Sequence, residues 1–207
     1  MTIGFDRDSW DAHWRDADGD EAEGPTTPTP YLVQAAEAGP PGSALDAGCG
    51  TGTDAVWLAE HGWHVTGVDI APTALERGAR RAAVAEVPDA VTWVAADLTT
   101  WEPERRFDLV TTAYAHATIP QLALYERIGG WVAPGGTLLV VGHRHGSHHR
   151  HDAAPPEEAT VGAADVAALF DGPAWRVDRA EEPRREIVRR SGPVVLHDVV
   201  VRATRLP

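Results

Sequence analysis

The chain has 207 residues, enough for one α/β domain with a full core, and its 31 acidic against 18 basic residues give a net charge of −13. A nucleic-acid groove or an anionic membrane surface would meet repulsion over most of such a protein, so no nucleic-acid and no membrane partner is expected. All 18 basic residues are arginine, which removes lysine from any catalytic role, and a single cysteine, Cys49, excludes an intrachain disulfide.

Residues 1–24 carry eight acids and two arginines, and their apolar content is concentrated in Phe5, Trp10 and Trp14. Trp10 and Trp14 lie four apart, so they share a face if Asp8 or Ser9 caps a short helix there. The following "EGPTTPTP" reads as a linker whose three prolines forbid a helix. The first residues, "MTIGFDRDSW", lack a basic segment followed by an apolar one, and no run of about 18 apolar residues occurs anywhere. A cytoplasmic location is the expectation.

From Ala44 to Gly142 strands and helices alternate, which requires a parallel sheet covered on both faces. Strands are expected at Ser43–Ala47, His64–Asp69, Val91–Ala95, Phe107–Ala113 and Gly136–Gly142, with helices at about Thr53–His61, Pro72–Val84 and Gln121–Gly129. Gly62 suits a C-terminal stop and Pro72 a helix start. After a His-rich loop and a short helix near Ala163–Phe170, "AWRVDRAEEP" and "VVLHDVVVRATR" read as two strands joined by the polar "RREIVRRSG". The expected fold is a Rossmann-like, seven-stranded, mostly parallel sheet with helices on both faces and a C-terminal antiparallel hairpin.

The stretch "ALDAGCGTGTDAVWLAEHGWHVTGVD" is a strand, a glycine turn, a helix and a strand ending in an acid. Its glycines, Gly48, Gly50 and Gly52, give G-x-G-x-G, and Thr53 stands where a dinucleotide fold needs its third glycine or alanine. Asp46, two residues before the first glycine, would repel a pyrophosphate. A nicotinamide oxidoreductase is therefore disfavoured, and the turn suits a cationic adenosyl ligand without phosphate, such as S-adenosylmethionine. Asp69, 21 residues after Gly48, is placed to accept both ribose hydroxyls.

On these residues the chain resembles the class I S-adenosylmethionine-dependent methyltransferases: "LDAGCGTG" and "VTGVDI" look like the glycine-rich and acidic motifs of that class. The resemblance spans roughly residues 31–142, and its narrower likeness is to the small bacterial thiopurine and tellurite-resistance methyltransferases. It implies a single methyltransferase domain over residues 31–207, preceded by a helical lid segment and linker over 1–30. It implies cofactor contacts from Trp14, Asp46, Gly48, Gly50, Gly52, Asp69, Ile70, Asp97, Leu98 and Ala113. Asp97 and Leu98, in "VAADLTTW", would hold the adenine amino group and its edge. Trp14 either pins the N-terminal helix or closes over the ligand. The product would be S-adenosylhomocysteine.

Methyl transfer from a sulfonium is an in-line displacement, so alignment in a dry pocket supplies much of the rate and a base is optional for a soft nucleophile. Tyr114 and His116 follow the fourth strand and His143 leaves the fifth; these are the candidate catalytic residues, His116 as general base. Cys49 reads as a small buried residue of the turn. The histidines of "GHRHGSHHRH" match no closed zinc motif and alternate with arginine, so no metal site is assigned. Arg184, Arg185, Arg189 and Arg190 could bind an anionic acceptor or pair with the acidic N-terminus, but read first as a solvated hairpin tip. The expected activity is methylation of a small-molecule acceptor, a thiol or other soft nucleophile, by a monomer or homodimer. An O- or N-methyltransferase of specialised metabolism is the alternative, and a non-catalytic S-adenosylmethionine-binding protein is the reading from another class.

Overall fold

The computed structural model describes residues 5–16, 26–143, 161–189 and 192–207. The helices are α1 (Arg7–Asp16), α2 (Pro30–Ala36), α3 (Thr53–Glu60), α4 (Pro72–Val84), α5 (Gln121–Gly129) and α6 (Ala163–Ala168). The strands are β1 (Ser43–Ala47), β2 (His64–Asp69), β3 (Val91–Ala95), β4 (Phe107–Ala113), β5 (Val132–His143), β6 (Trp175–Glu181), β7 (Arg184–Arg189) and β8 (Gly192–Arg205). Their spatial order is β3-β2-β1-β4-β5-β8-β6, with β7 pairing β8 off that path. Strands β1 to β5 are parallel; β8 runs antiparallel to both β5 and β6.

Alternate residues of the central strands feed two cores, as a sheet buried on both faces demands. Leu45, Val110, Leu138 and Val140 pack with Leu124, Ile128 and Phe170 on one face. Ala44, Leu109, Leu139 and Val141 pack with Leu32, Val56 and Leu58 on the other. Chain order reverses at β1, whose neighbours are β2 and β4, so their carboxyl ends open the crevice where such sheets bind ligands.

Three expectations need correction. The sheet has eight strands, not seven, because the Arg-rich segment is itself strand β7, in register with Gly192–His197. Strand β8 then continues between β5 and β6, so the end of the chain is a central antiparallel strand, with its hairpin partner β7 outside the main path. Helix α2 was hidden by the prolines around it: Thr29 accepts from the Leu32 N–H at 3.2 Å and Pro30 takes the first helical position, where its missing N–H costs nothing. Helix α1 is capped by Asp6, whose Oδ1 accepts from Ser9 N–H at 2.9 Å, and not by Asp8 or Ser9.

Candidate active site

Strand β1 ends in a turn whose three glycines all have positive φ. The backbone N–H groups of Gly48 and Cys49 both donate to the Val68 carbonyl, at 2.8 and 3.0 Å, which hooks the turn over the end of β2. At Gly48 a Cβ would stand 2.4 Å from that of Ala115, so glycine is required for the loop after β4 to approach. At Gly52 it would stand 2.3 Å from the Trp93 ring. Gly52 does not line the cavity; Trp93 packing explains its glycine.

Around the turn lies a cavity of about 250 Å³, bordered by Asp46, Gly48, Gly50, Asp69, Ile70, Asp97, Leu98, Ala113, Tyr114 and His116, and covered by Phe5, Trp10 and Trp14. Asp46 is buried, and its Oδ2 has no hydrogen-bond partner. Burial, then the charges of Asp54 and Asp69, push its carboxyl well above the usual range, against a hydrogen bond from the Ala55 N–H. Asp69 Oδ2 accepts from Gly50 N–H at 2.8 Å and Oδ1 from Ala71 N–H at 2.9 Å. Burial still raises its pKa against those bonds. Asp97 accepts from Thr99 N–H at 2.8 Å, so it shapes its own turn at the cavity edge.

Asp54, in the first turn of α3, also borders the cavity, and sequence reasoning passed over it. A second acid within the glycine turn was the available signal. Burial pushes its carboxyl up to about 6, against a hydrogen bond from Thr29 N–H. A carboxyl raised on folding favours the protonated protein: that contribution is full below about pH 4 and lost as pH rises through about 6. Asp54→Asn should therefore match the parent near pH 4 and exceed it near pH 7.5, by about 3 kcal/mol at most. Thermal melts of the ligand-free protein at the two pH values check this.

The wall opposite the acids comes from β4 and its loop. Tyr114 sits at φ 57°, a strained conformation for a bulky residue and one of two non-glycine positive φ values among the described residues. Its hydroxyl donates to Asp198 Oδ1 at 2.9 Å and accepts from Arg185 Nη2 at 2.7 Å. Asp198, fully buried, also accepts from Tyr31 at 3.2 Å and from Arg185 Nε at 2.5 Å. Burial, then the Asp198 charge, raise the Tyr114 pKa. Arg185 is thus part of the support behind the site, a correction to its reading as a solvated tip.

His116 stacks on Phe5 with ring centroids 5.2 Å apart, and its Nδ1 lies 2.9 Å from Gln121 Oε1. His143 ends β5, but its side chain, like the rest of the His-rich stretch, lies outside the described residues. Helix α1 is tied to α4 by Thr73 N–H, which donates to Asp11 at 3.1 Å, and reaches the site through Trp14, whose ring lies over Gly50.

An orphaned carboxylate oxygen at the turn, a second acid beside it, and an acid at the end of β2 fit the ammonium, sulfonium and ribose of S-adenosylmethionine. They do not fit a pyrophosphate, which four carboxylates and no arginine among the described lining residues would repel. Together, fold and site resemble those of class I S-adenosylmethionine-dependent methyltransferases. Residues 44–136 match the family described as "Methyltransferase domain".

Two plant proteins are similar in sequence. The probable thiol methyltransferase 2 of Arabidopsis thaliana is 35% identical over 121 residues, covering 55% of this chain and 53% of that protein. The thiocyanate methyltransferase 1 of Brassica oleracea is 28% identical over 190 residues, covering 88% and 80%. This chain thus spans about half the length of the first of these relatives. A solved structure described as "Conversion of a Disulfide Bond into a Thioacetal Group during Echinomycin Biosynthesis" superposes with a TM-score of 0.72 at 25% identity, over 97% of this chain and 91% of the other. Among the described residues no helix is long and apolar enough to cross a membrane.

Proposed function

We propose that this chain transfers the methyl group of S-adenosylmethionine to a small, electrically neutral thiol or related soft acceptor. The observation that carries this is a cavity lining that combines four carboxylates with a stacked aromatic cluster of Phe5, Trp10 and His116. The resemblance to a probable thiol methyltransferase supports the soft acceptor.

In this reading Asp69 holds the ribose hydroxyls, Asp46 Oδ2 and Asp54 face the ammonium, and Asp97 takes the adenine amino group between Ile70 and Leu98. Gly48, Gly50 and Ala113 allow close approach of the ligand. Trp14 and α1 close over it as a lid and exclude water. The bound cofactor supplies an electrophilic methyl group; the protein aligns the acceptor with it and His116 takes the acceptor's proton. An acceptor carrying its own negative charge would find no guanidinium among the described lining residues to hold it.

Incubation with S-adenosylmethionine and matched thiols, methyl thioglycolate against thioglycolate, tests this by mass detection of the methyl thioether. The neutral ester should exceed the acid in kcat/KM by about tenfold, since 1.4 kcal/mol of charge discrimination suffices. Equal or better use of the acid would contradict the neutral acceptor. Product from alcohols or amines but from no thiol would establish the O- or N-methyltransferase alternative.

A further inference from the structure

We infer that Gln121 is a positioning residue that fixes the tautomer of His116, placing the proton on Nδ1 and the basic lone pair on Nε2. Its consequence for catalysis rests on the methyl-transfer reading above; its geometry does not.

Gln121 is the first residue of α5, and its polar side chain is buried, at 3% exposure. Such a group is kept inside only when its hydrogen bonds are made. Its Nε2 donates to the Ala115 carbonyl at 2.9 Å, and the Tyr125 hydroxyl is hydrogen-bonded to the same side chain. Because a backbone carbonyl can only accept, the amide NH2 must face Ala115, and a flipped carboxamide would set two acceptors against each other. The orientation of Gln121 is therefore determined by its surroundings. Its Oε1, 2.9 Å from His116 Nδ1, needs a donor there, so Nδ1 carries hydrogen and the neutral ring keeps its lone pair on Nε2. The Phe5 ring, at 26° to the imidazole, restricts ring rotation.

The same loop supplies Ala115 and His116, so one amide reads the backbone and the side chain of adjacent residues together. Tyr125, one turn further along α5, backs that amide with a buried hydroxyl whose pKa is pushed up to about 12 by burial, against the Gln121 bond. The device couples the first turn of α5 to the loop that closes the cavity.

In the reaction, the acceptor S–H proton passes to His116 Nε2, giving the imidazolium, and the sulfur forms a bond to the methyl carbon. The bond from that carbon to the sulfonium breaks, its electron pair stays on the departing sulfur, and the imidazolium later releases its proton to water. With the opposite tautomer Nε2 would already carry hydrogen and could not accept.

Long-range 1H–15N correlation on the full chain, with the His116 signals assigned by their loss in His116→Gln, reads the tautomer directly. The parent should show a protonated Nδ1 and an unprotonated Nε2 in the neutral ring; a protonated Nε2 would overturn the inference. Gln121→Met should lose that signature and lower kcat/KM for a neutral thiol by about tenfold or more, with S-adenosylmethionine affinity unchanged. Gln121→Glu, which keeps an acceptor at Nδ1 but sets a carboxylate oxygen against the Ala115 carbonyl, should keep hydrogen on Nδ1 without restoring the parent rate. A purely structural Gln121 would leave the tautomer unchanged in Gln121→Met, which contradicts the inference. If Gln121→Met does not fold, the parent spectrum decides. Failure of the parent to methylate any thiol would reject the acceptor class and leave the tautomer to the spectra.

Discussion

Asp69→Ala should weaken S-adenosylmethionine binding by about 100-fold or more. Hydrogen bonds to a charged group are each worth roughly 1.5–3 kcal/mol, and two ribose hydroxyls on one carboxylate place the loss near 3 kcal/mol or above. The substitution also leaves the Gly50 and Ala71 N–H groups without their acceptor, so the turn that carries the ligand keeps only its backbone bonds to Val68 as ties to β2. Asp69→Asn keeps one acceptor oxygen and should fall between parent and alanine. Equilibrium dialysis with labelled cofactor measures the ratio. A loss below about threefold in Asp69→Ala would mean that the ribose is held elsewhere.

Arg185→Ala should cost about 3–5 kcal/mol of stability, the penalty for leaving a buried charge without its counter-ion. What decides this over the ~0–1 kcal/mol of a surface pair is that Asp198 is fully buried while its guanidinium partner is only partly exposed. The Tyr31 and Tyr114 hydroxyls still reach Asp198, but neither carries compensating charge. The double variant Arg185→Met with Asp198→Asn removes the orphaned charge and should recover most of the loss. Urea denaturation of the three proteins checks the ordering. Loss of about 1 kcal/mol or less in Arg185→Ala would show that the pair is solvated. Because the pair fixes the hydroxyl of Tyr114, whose backbone is strained at φ 57°, Arg185→Ala should also lower turnover.

The parallel half of the sheet was legible because its signals are local: apolar runs, a glycine turn, and Pro72 and Gly62 at helix ends. Strands β1 to β4 fall at the expected residues, and so does α5. At the far end the antiparallel pairing of β6 with β8 was legible too, but strand β7 between them was not. The segment "RREIVR" looks solvated by composition, and only its pairing with β8 makes it a strand. Asp198, an acid inside the apolar run "LHDVVV", was the one sequence sign that a cation must come to meet it. Trp93 shows the same limit: it fills the space above Gly52, Gly67 and Gly78, three glycines no motif would group together. The site was read through its backbone turn and its strand-end acids, whose positions follow from the βαβ unit. Asp54 and Gln121 escaped because their importance lies in what folds against them.

Calorimetric titration of the protein with S-adenosylmethionine, S-adenosylhomocysteine and NAD in parallel tests the central claim most directly. Saturable binding of both adenosyl ligands with none for NAD is the predicted result, and the acids at the turn require S-adenosylmethionine to bind more tightly at pH 7.5 than at pH 5, as Asp54 ionises through about 6. Binding of NAD with no binding of either adenosyl ligand would contradict the account.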